Sequence, residues 1–282
     1  MMGILKNKID FAAIIAISGA NANGDPLNGN RPRTDYDGFG EISDVCIKRK
    51  IRNRMQDMGK DIFVQTEDRT DDGCKSLSER AALILDGIDD RKDAEAAVCR
   101  KWLDVRAFGQ VFAFKDKKGL SIGIRGPVSI HRAVSVSPVN IESRRITKSV
   151  NGEKKADGQK SSDTMGVKHF VKFGLYILKG TINARLAEKT GFTTEDAKTV
   201  KECIKTLFVN DASAARPEGS MEVVKLYWWT HNSTDGQYSS ARVHRSLSIE
   251  PINPNEEPRS IKDYQITLER FPDLATEVID GI

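Results

Sequence analysis

The sequence predicts an α+β fold built around one β-sheet, and three observations support this prediction. Residues 10–18 form a continuous apolar run rich in isoleucine, which is typical of a strand buried on both faces. Two segments that begin after Ser43 and Thr193 have the apolar spacing of amphipathic helices. Further strand patterns lie at residues 120–135, 167–177 and 221–231. The predicted order is strand, helix, strand, strand, helix, strand, which is the order of the ferredoxin-like fold.

The composition is that of a soluble globular protein. With 282 residues, of which 39% are hydrophobic and 30% charged, the chain can form one large domain with insertions or two small ones. No apolar run approaches the roughly 18 to 20 residues that cross a bilayer, and residues 1–10 lack the features of a signal peptide. The sequence therefore predicts a cytoplasmic protein without a membrane partner.

Motifs of several common chemistries do not occur in the sequence. The cysteines at positions 46, 74, 99 and 203 are too widely spaced for a zinc site, and no histidine stands at ligand spacing beside them. The Gly-rich stretch after the first strand lacks the G-K-[ST] ending of a nucleotide-binding P-loop. The four histidines are scattered and no nucleophile motif accompanies them. We therefore predict no metal, no cofactor and no catalytic residue.

The first predicted strand leads into a loop of about two dozen residues, 19–41, rich in Gly, Asn, Asp and Pro. A loop of this length in a compact domain is usually functional or disordered, and Arg31, Arg33 and Tyr36 within it favour a function. Its carboxylates at positions 25, 35 and 37 have two interpretations. They could bind a divalent metal for phosphodiester cleavage. Alternatively, Asp25-Pro26 and Asp37-Gly38 form turns, which we favour, and Asp35 pairs with Arg33 or Arg31.

The helix predicted after the loop carries a cluster of cations. Ser43 is its expected N-cap, and an apolar stripe at positions 47, 51 and 55 is expected to face the core. Five basic residues and one acid lie between positions 44 and 54, although the net charge of the whole chain is only +4. The exposed side of the helix is therefore expected to be almost wholly cationic, which suits an anionic partner. The residues concerned are Lys48, Arg49, Lys50, Arg52 and Arg54.

Two further segments project from the predicted sheet. Residues 76–102 have helical patterns with acidic exposed faces, so we interpret them as an inserted helical subdomain. Residues 137–166 are polar, contain Arg144, Arg145 and Lys148, and predict a long hairpin with a flexible tip near residues 151–161.

The strand predicted at residues 167–177 alternates between a core face and a face that carries cations and aromatic rings. That second face holds Lys168, Phe170, Lys172 and Tyr176. Cations beside rings are typical of grooves that bind single-stranded nucleic acid, and RNA-recognition domains share the predicted element order. Alternatively, Phe170 and Tyr176 cover a second core beneath the inserted helices.

Several blocks of the sequence resemble the CRISPR-associated backbone subunit of type I-C Cascade, in family order and over nearly the whole chain. The blocks are NANGDPLNGNRPRTD (21–35), GEISDVCIKRKIRN (40–53), DVRAFGQVF (104–112), GIRGPVSIHRAVSVSPV (123–139), TMGVKHFVKFGLYILKGTIN (164–183) and AEKTGFTTEDAK (187–198). The resemblance implies a right-hand architecture with an RNA-recognition-like palm, helical fingers and a thumb hairpin. The palm is expected at residues 1–60, 106–139 and 167–282, the fingers at 61–105 and the thumb at 140–166.

This resemblance implies that copies of the chain stack head to tail along one CRISPR guide RNA. Target DNA would then pair with the guide, other Cascade subunits would cap the filament, and a separate nuclease would cut the DNA. Ser43, Lys48 and Arg52 stand where the family has the start of a helix that faces the RNA backbone. Backbones of the related type III complexes cleave target RNA with an Asp, and Asp25 is its nearest counterpart here. A metal-dependent ribonuclease that uses Asp25 is therefore the alternative to a non-catalytic RNA scaffold.

The binding pattern and the resemblance together give one set of candidate residues for sequence-independent RNA binding. The set is Arg31, Arg33, Ser43, Lys48, Arg49, Arg52, Arg125, Arg144, Arg145, Lys148, Lys168 and Lys172.

Overall fold

A computed structural model describes residues 3–113, 121–147 and 165–282. The helices within these ranges are α1 (Asp44–Asp57), α2 (Leu77–Leu85), α3 (Arg91–Lys101), α4 (Leu103–Phe108), α5 (Ala184–Thr190), α6 (Thr194–Lys205) and α7 (Ser240–Arg245). The strands are β1 (Ile9–Ala20), β2 (Gly24–Asp25), β3 (Arg31–Pro32), β4 (Phe39–Ile42), β5 (Gly109–Phe112), β6 (Ile122–Arg125), β7 (Val128–Ile130), β8 (Ala133–Pro138), β9 (Ile141–Thr147), β10 (Met165–Ile182), β11 (Met221–Thr230), β12 (Leu247–Pro251), β13 (Tyr264–Leu268) and β14 (Ala275–Asp280).

The centre of the molecule is an antiparallel sheet with the strand order β14-β11-β1-β10-β8-β4, to which β7 and β9 add by pairing with β10. Strand β1 pairs with β10 from Ile9 to Ala20 and with β11 on its other side. Every residue of β1 from Ile9 to Ile17 is buried, because both faces of the sheet are covered. The predicted mixed fold with one large sheet is therefore confirmed.

Helices α1 and α6 pack side by side on one face of the sheet, and their predicted apolar stripes are buried in the main core. The Ser43 hydroxyl accepts a hydrogen bond from the backbone N–H of Cys46, as expected of an N-cap. At α6, the Thr193 and Asp196 side chains each accept from the other residue's backbone N–H and form a complete capping box. Both predicted helices are thus confirmed.

The opposite face of the sheet is covered by a layer that the sequence analysis did not predict. Helix α7 and the β12–β13 pair lie over this face, and Tyr227, Trp229, Val243 and Leu247 are buried between the two layers. No element was predicted after residue 231. Strands β12 and β13 do alternate between apolar and polar residues, but each is only five residues long.

The inserted helical segment has a core of its own. Phe63, Trp102 and Phe112 form an aromatic cluster with ring centroids 4.8 to 6.4 Å apart, and the apolar faces of α2 and α3 pack around it. The predicted helices of the insert are present. Because Phe112 and Ile122 belong to the β5–β6 pair, this core extends beyond the predicted boundary at residue 105.

Of the two interpretations of Tyr176, the nucleic-acid face is wrong and a buried position is correct, although the core concerned is the main one rather than a core beneath the inserted helices. The Tyr176 ring is 1% exposed and belongs to the same core cluster as the buried side chains of α1 and α6, so Tyr176 does not face a nucleic acid. Both faces of β10 are covered in this half of the strand, whereas the half before Val171 extends beyond the body and pairs only with β9. The alternation was correct, but it could not show that the face with Tyr176 is buried.

Three buried polar residues lie near the start of β1, at the end of the sheet away from the projecting half of β10. Asp10 Oδ2 accepts a hydrogen bond from His231 Nε2 at 2.8 Å, because His231 Nδ1 already accepts from the Gln237 backbone N–H. His244 Nε2 donates to the Gly180 carbonyl at 3.2 Å. Burial lowers the pKa of His244, against the opposing attraction of Asp10.

The lowered pKa of His244 predicts that the protein loses stability in mild acid. In the unfolded chain this histidine takes up a proton near pH 6.5, whereas in the folded protein buried His244 stays neutral. Its contribution to the free energy of unfolding is therefore present above that pH. It is lost as the pH falls, at no more than about 1.4 kcal/mol per pH unit. Chemical denaturation between about pH 7.5 and pH 5.5 measures this slope. We expect His244→Asn to reduce it, whereas His169→Asn, whose ring contacts Ser143 and Arg31 rather than His244, should leave it unchanged. Equal slopes in all three proteins would contradict the assignment.

Candidate nucleic-acid interface

The loop between β1 and α1 is held in one conformation by its own Asn and Asp side chains. Asn21 Nδ2 donates to the Asn30 carbonyl at 2.7 Å, and Asn23 Oδ1 accepts from the Ser43 backbone N–H at 2.9 Å. Asp25 Oδ1 accepts from the Leu27 N–H and lies 3.4 Å from an Arg33 guanidinium nitrogen. The favoured interpretation of Asp25 as a turn residue is therefore confirmed.

A second turn follows in the same loop, and the Asp35 side chain stabilises it. Asp35 Oδ1 accepts from the backbone N–H groups of Asp37 and Phe39 at 3.0 and 2.9 Å. Such hydrogen bonds are the usual means by which Asp stabilises a turn. Among the residues that the structure describes, no group of three or more His, Cys, Asp or Glu side chains is arranged to hold a metal ion.

Arg31 connects the loop to the strands β9 and β10. Its Nη1 donates to the Ser143 hydroxyl at 3.2 Å and lies 3.4 Å from His169 Nδ1. Ser143 and His169 are opposite each other in the β9–β10 pairing, and Ser143 Oγ lies 2.8 Å from His169 Nδ1. The loop thus lies against one side of the projecting strand pair, and sequence distance alone could not reveal this contact.

The strand pair formed by β9 and the first half of β10, residues 141–147 and 165–171, is called the arm below. Arg144 is 70% exposed, and its guanidinium lies over the Phe170 ring at 4.8 Å from the centroid. Arg145 and Lys168 are also exposed, and Lys172 is half-buried just beyond the arm. The predicted hairpin is present as far as its two strands are described, whereas Lys148 and the predicted tip at residues 151–161 lie outside the described residues.

The cations of α1 do not form the exposed cationic face that the sequence predicted. Arg49 Nη1 donates to the Val64 carbonyl at 2.8 Å, and Arg52 Nε pairs with buried Asp104 at 2.8 Å. Burial lowers the pKa of Arg49, and nearby Arg52 lowers it further. That prediction is wrong because Val64 and Asp104 belong to the insert, whose contacts with α1 leave no trace in the helical spacing.

Lys48 and Lys50 have contrasting positions on α1. Lys48 pairs with Asp44 at 3.0 Å, one helical turn away and at the surface. Lys50 is buried and pairs with Asp211, and burial lowers its pKa against the opposing attraction of that carboxylate. The same Asp211 carboxylate lies 3.1 Å from Arg216 Nε.

The segment 211–217, between α6 and β11, is a part of this surface that the sequence analysis missed. The Asn21 N–H donates to the Ala215 carbonyl at 2.9 Å, and Lys168 Nζ reaches the Ala214 carbonyl at 3.4 Å. It therefore joins the loop after β1 to the arm and adds Arg216 to their cations. The segment lies here because the chain enters β11 beside the end of β1, a pairing that the sequence analysis did not predict.

The whole chain can now be compared with known proteins. The family model of CRISPR-associated protein Cas7 matches residues 7–269. The chain belongs to this family. A curated relative, CRISPR-associated protein Cas7 of Haloferax volcanii, is 27% identical over 300 residues, which cover 98% of this chain and 85% of the relative.

A solved structure has a similar fold to this Cas7 family member. One chain of a CRISPR RNA-guided surveillance complex, pre-nicking, superposes with a TM-score of 0.51 and 17% sequence identity. The superposition covers 84% of this chain and 81% of that chain. At this identity the similarity supports the fold alone.

The Cas7-family chain brings some of the predicted site residues together and leaves others apart. Arg31, Arg33, Lys168 and the arginines of the arm lie on three segments that contact one another at the end of β1. Arg125 is exposed at the end of β6, within the insert, and no described hydrogen bond or ion pair joins it to that group. In the described parts of the chain, no helix is both long and apolar enough to span a bilayer.

Proposed function

We propose that this chain is the repeated, guide-RNA-binding backbone subunit of a type I-C CRISPR surveillance complex. Membership of the Cas7 family supports this proposal, and so does the similarity of sequence blocks along nearly the whole chain. The observation that carries it is the convergence of cations from the loop after β1, the arm and segment 211–217 at one end of the sheet. Cations from separate segments that lie side by side can follow a phosphate backbone without reading its sequence.

The RNA-binding residues fall into two groups in this proposal. The exposed or half-exposed cations bind phosphates directly, and Ser43 offers its hydroxyl beside them at the start of α1. Arg49 and Arg52 instead position α1 by fixing it to the insert, since their guanidinium groups already bind Val64 and Asp104. The proposed direct contacts among the described residues are Arg31, Arg33, Lys48, Arg125, Arg144, Arg145, Lys168 and Lys172. Lys148, which lies outside the described residues, is proposed as a contact from the sequence alone.

The proposed architecture follows the hand-like arrangement implied by the resemblance. In this proposal the palm is ferredoxin-like and of the RNA-recognition type, and it consists of strands β11, β1, β10 and β8 with helices α1 and α6; the sheet order β11-β1-β10-β8 supports it. The insert that contains α2 and α3 would be the fingers, and the arm would be the base of the thumb at residues 140–166. Other copies of the chain extend the filament, different Cascade subunits cap it, and the guide presents its bases to target DNA in the cytoplasm.

Purification from cells that also express a CRISPR repeat array tests this function. We expect the protein to elute with nucleic acid, shown by its ratio of absorbance at the nucleic-acid and protein maxima, and to sediment as an assembly of several copies. Treatment with ribonuclease should convert the assembly to smaller species. A monomer that carries no RNA and ignores single-stranded RNA at low salt would overturn the proposal.

The proposal includes the prediction that Asp25 supports no RNA cleavage. Its Oδ1 is already engaged by the Leu27 N–H and Arg33, and among the described residues no cluster of possible metal ligands accompanies it. When the RNA-loaded protein is incubated with labelled complementary RNA and magnesium, we expect intact RNA from both the wild type and Asp25→Ala. A ribonuclease added to a parallel sample confirms that the substrate can be cut. Regularly spaced fragments that disappear in Asp25→Ala would support the alternative, a metal-dependent ribonuclease.

A further inference from the structure

The turn at residues 34–40 has a hydrogen-bonded backbone and presents an aromatic ring to solvent. Tyr36 is fully exposed, whereas large apolar or aromatic side chains usually find partners in a folded protein. The turn beneath it is held by the two hydrogen bonds to Asp35 Oδ1 and by a bridge between Thr34 and Gly40. Asp35 and Asp37 flank the ring, so this tip combines an aromatic side chain with two negative charges.

A groove of complementary character lies between the N-terminal segment, α6 and β11. It has a volume of about 390 Å³ and is lined by the apolar side chains of Ile4, Ala197 and Trp228. Lys6, Lys198 and Lys201 also line it, against one acid, Glu277. Lys6 and Lys198 are exposed, and Lys201 lies over the Trp228 ring and pairs with Glu277 at 2.6 Å.

The tip and the groove lie at opposite ends of the sheet. The groove includes Ile9, the first residue of β1, and Thr230, its partner in β11. The tip leads into β4, whose residue Phe39 pairs with Pro138 at the edge of the sheet. Along strand β8, Pro138 lies beyond Ser135, which is level with Tyr176 of β10 and Ile15 of β1. Pro138 is level with about Ser18 of β1, so roughly nine residues, or about 30 Å of strand, separate it from the level of Ile9. A single copy therefore cannot place its own tip in its own groove.

We propose that the Tyr36 tip of one copy docks into the groove between the N-terminal segment, α6 and β11 of the next copy. The interaction rests on the proposed function, because it supplies a protein contact between successive backbone subunits. The ring packs against the apolar floor of the groove, and Asp35 and Asp37 lie near its lysines. Two different surfaces at opposite ends form a heterologous contact that does not close on itself, as an open filament requires.

The acidic flanks of the ring favour a protein partner over RNA. A base that stacked on Tyr36 would bring its phosphates close to Asp35 and Asp37, which repel them. The same carboxylates are attracted by the lysines of the groove: Lys198 and Lys201 pair with Glu195 and Glu277, and Lys6 has no ion pair within the described part of the chain. An aromatic side chain at the centre of such a contact is the type of residue that most often dominates binding energy.

Sedimentation on a long single-stranded RNA tests the contact, and affinity for the shortest RNA that one copy binds tests the proposed function separately. We expect Tyr36→Ala and Lys198→Glu each to weaken the association between copies by about tenfold or more and to leave affinity for the short RNA unchanged. Asp37→Lys should weaken association too, and the double variant Asp37→Lys/Lys198→Glu should restore part of it. Ile252→Ala and Lys262→Glu, which change exposed residues elsewhere, are the matched controls.

A mixing experiment identifies the two surfaces as partners. A copy with Tyr36→Ala keeps its groove, and a copy with Lys198→Glu keeps its tip, so a mixture can form one normal contact per pair. We expect the mixture to form heterodimers on RNA and no assemblies of more than two copies. If Tyr36→Ala lowers affinity for the short RNA, the ring binds RNA and the proposal is wrong. Normal assembly of the single variants would also overturn it, whereas loss of RNA binding by the wild type would refute the proposed function instead.

Discussion

Replacing Arg31, Arg144 and Arg145 together by alanine should abolish tight RNA binding at moderate salt. These arginines come from two segments that contact each other through Ser143 and His169, and each is predicted to neutralise one phosphate. Each phosphate contact contributes roughly 0.7 to the slope of log affinity against log salt on single strands, so the slope should fall by about 2. Titration of labelled single-stranded RNA at several salt concentrations measures it.

A matched variant separates this local effect from a general loss of positive charge. Arg245, Lys262 and Arg270 are exposed in or beside the layer over the other face of the sheet, and replacing all three by alanine removes the same charge. We expect this control to change the slope little, because exposed charges more than about 10 Å from the RNA are largely screened at 0.1 M salt. Equal slopes in the two triple variants would mean that the loop and the arm do not hold the RNA.

The sequence was sufficient for the elements that depend on local patterns. The apolar run of β1, the caps at Ser43 and Thr193 and the stripes of α1 and α6 are short-range signals, and each is found in the structure. These elements also determine where the long loop after β1 lies, because its ends are fixed by the sheet and by α1. The position of Arg31 and Arg33 near the end of β1 could therefore be anticipated.

What the sequence could not supply is the set of contacts between distant segments. Arg52 and Asp104 are far apart along the chain, so the helical wheel of α1 showed a free arginine where the fold has an ion pair. Tyr176 appeared on a polar face, because alternation identifies two faces but not which layer covers each of them. The contribution of segment 211–217 depends in the same way on contacts with Asn21 and Lys168.

The pair formed by Arg52 and Asp104 should contribute strongly to stability and weakly to RNA binding. Asp104 is fully buried, and its two oxygens accept from the backbone N–H groups of Phe63 and Val64 as well as from Arg52 Nε. Arg52→Ala leaves this carboxylate buried without its cation, and removing one partner of a buried pair typically costs about 3 to 5 kcal/mol. We expect Arg52→Ala and Asp104→Ala each to lower the free energy of unfolding by an amount of this order, as chemical denaturation would measure.

The same variants distinguish a positioning role from direct contact with RNA. If Arg52 holds α1 to the insert, Arg52→Ala should lose stability while the folded fraction keeps the salt slope of the wild type. Arg52→Lys, which keeps the charge but loses the directed Nε hydrogen bond, should recover only part of the stability. If Arg52 binds a phosphate, Arg52→Ala should instead lower the slope by about 0.7 with little change in stability. Because α1 and the insert meet at this ion pair, its loss should also loosen the contact between α1 and the Phe63 cluster.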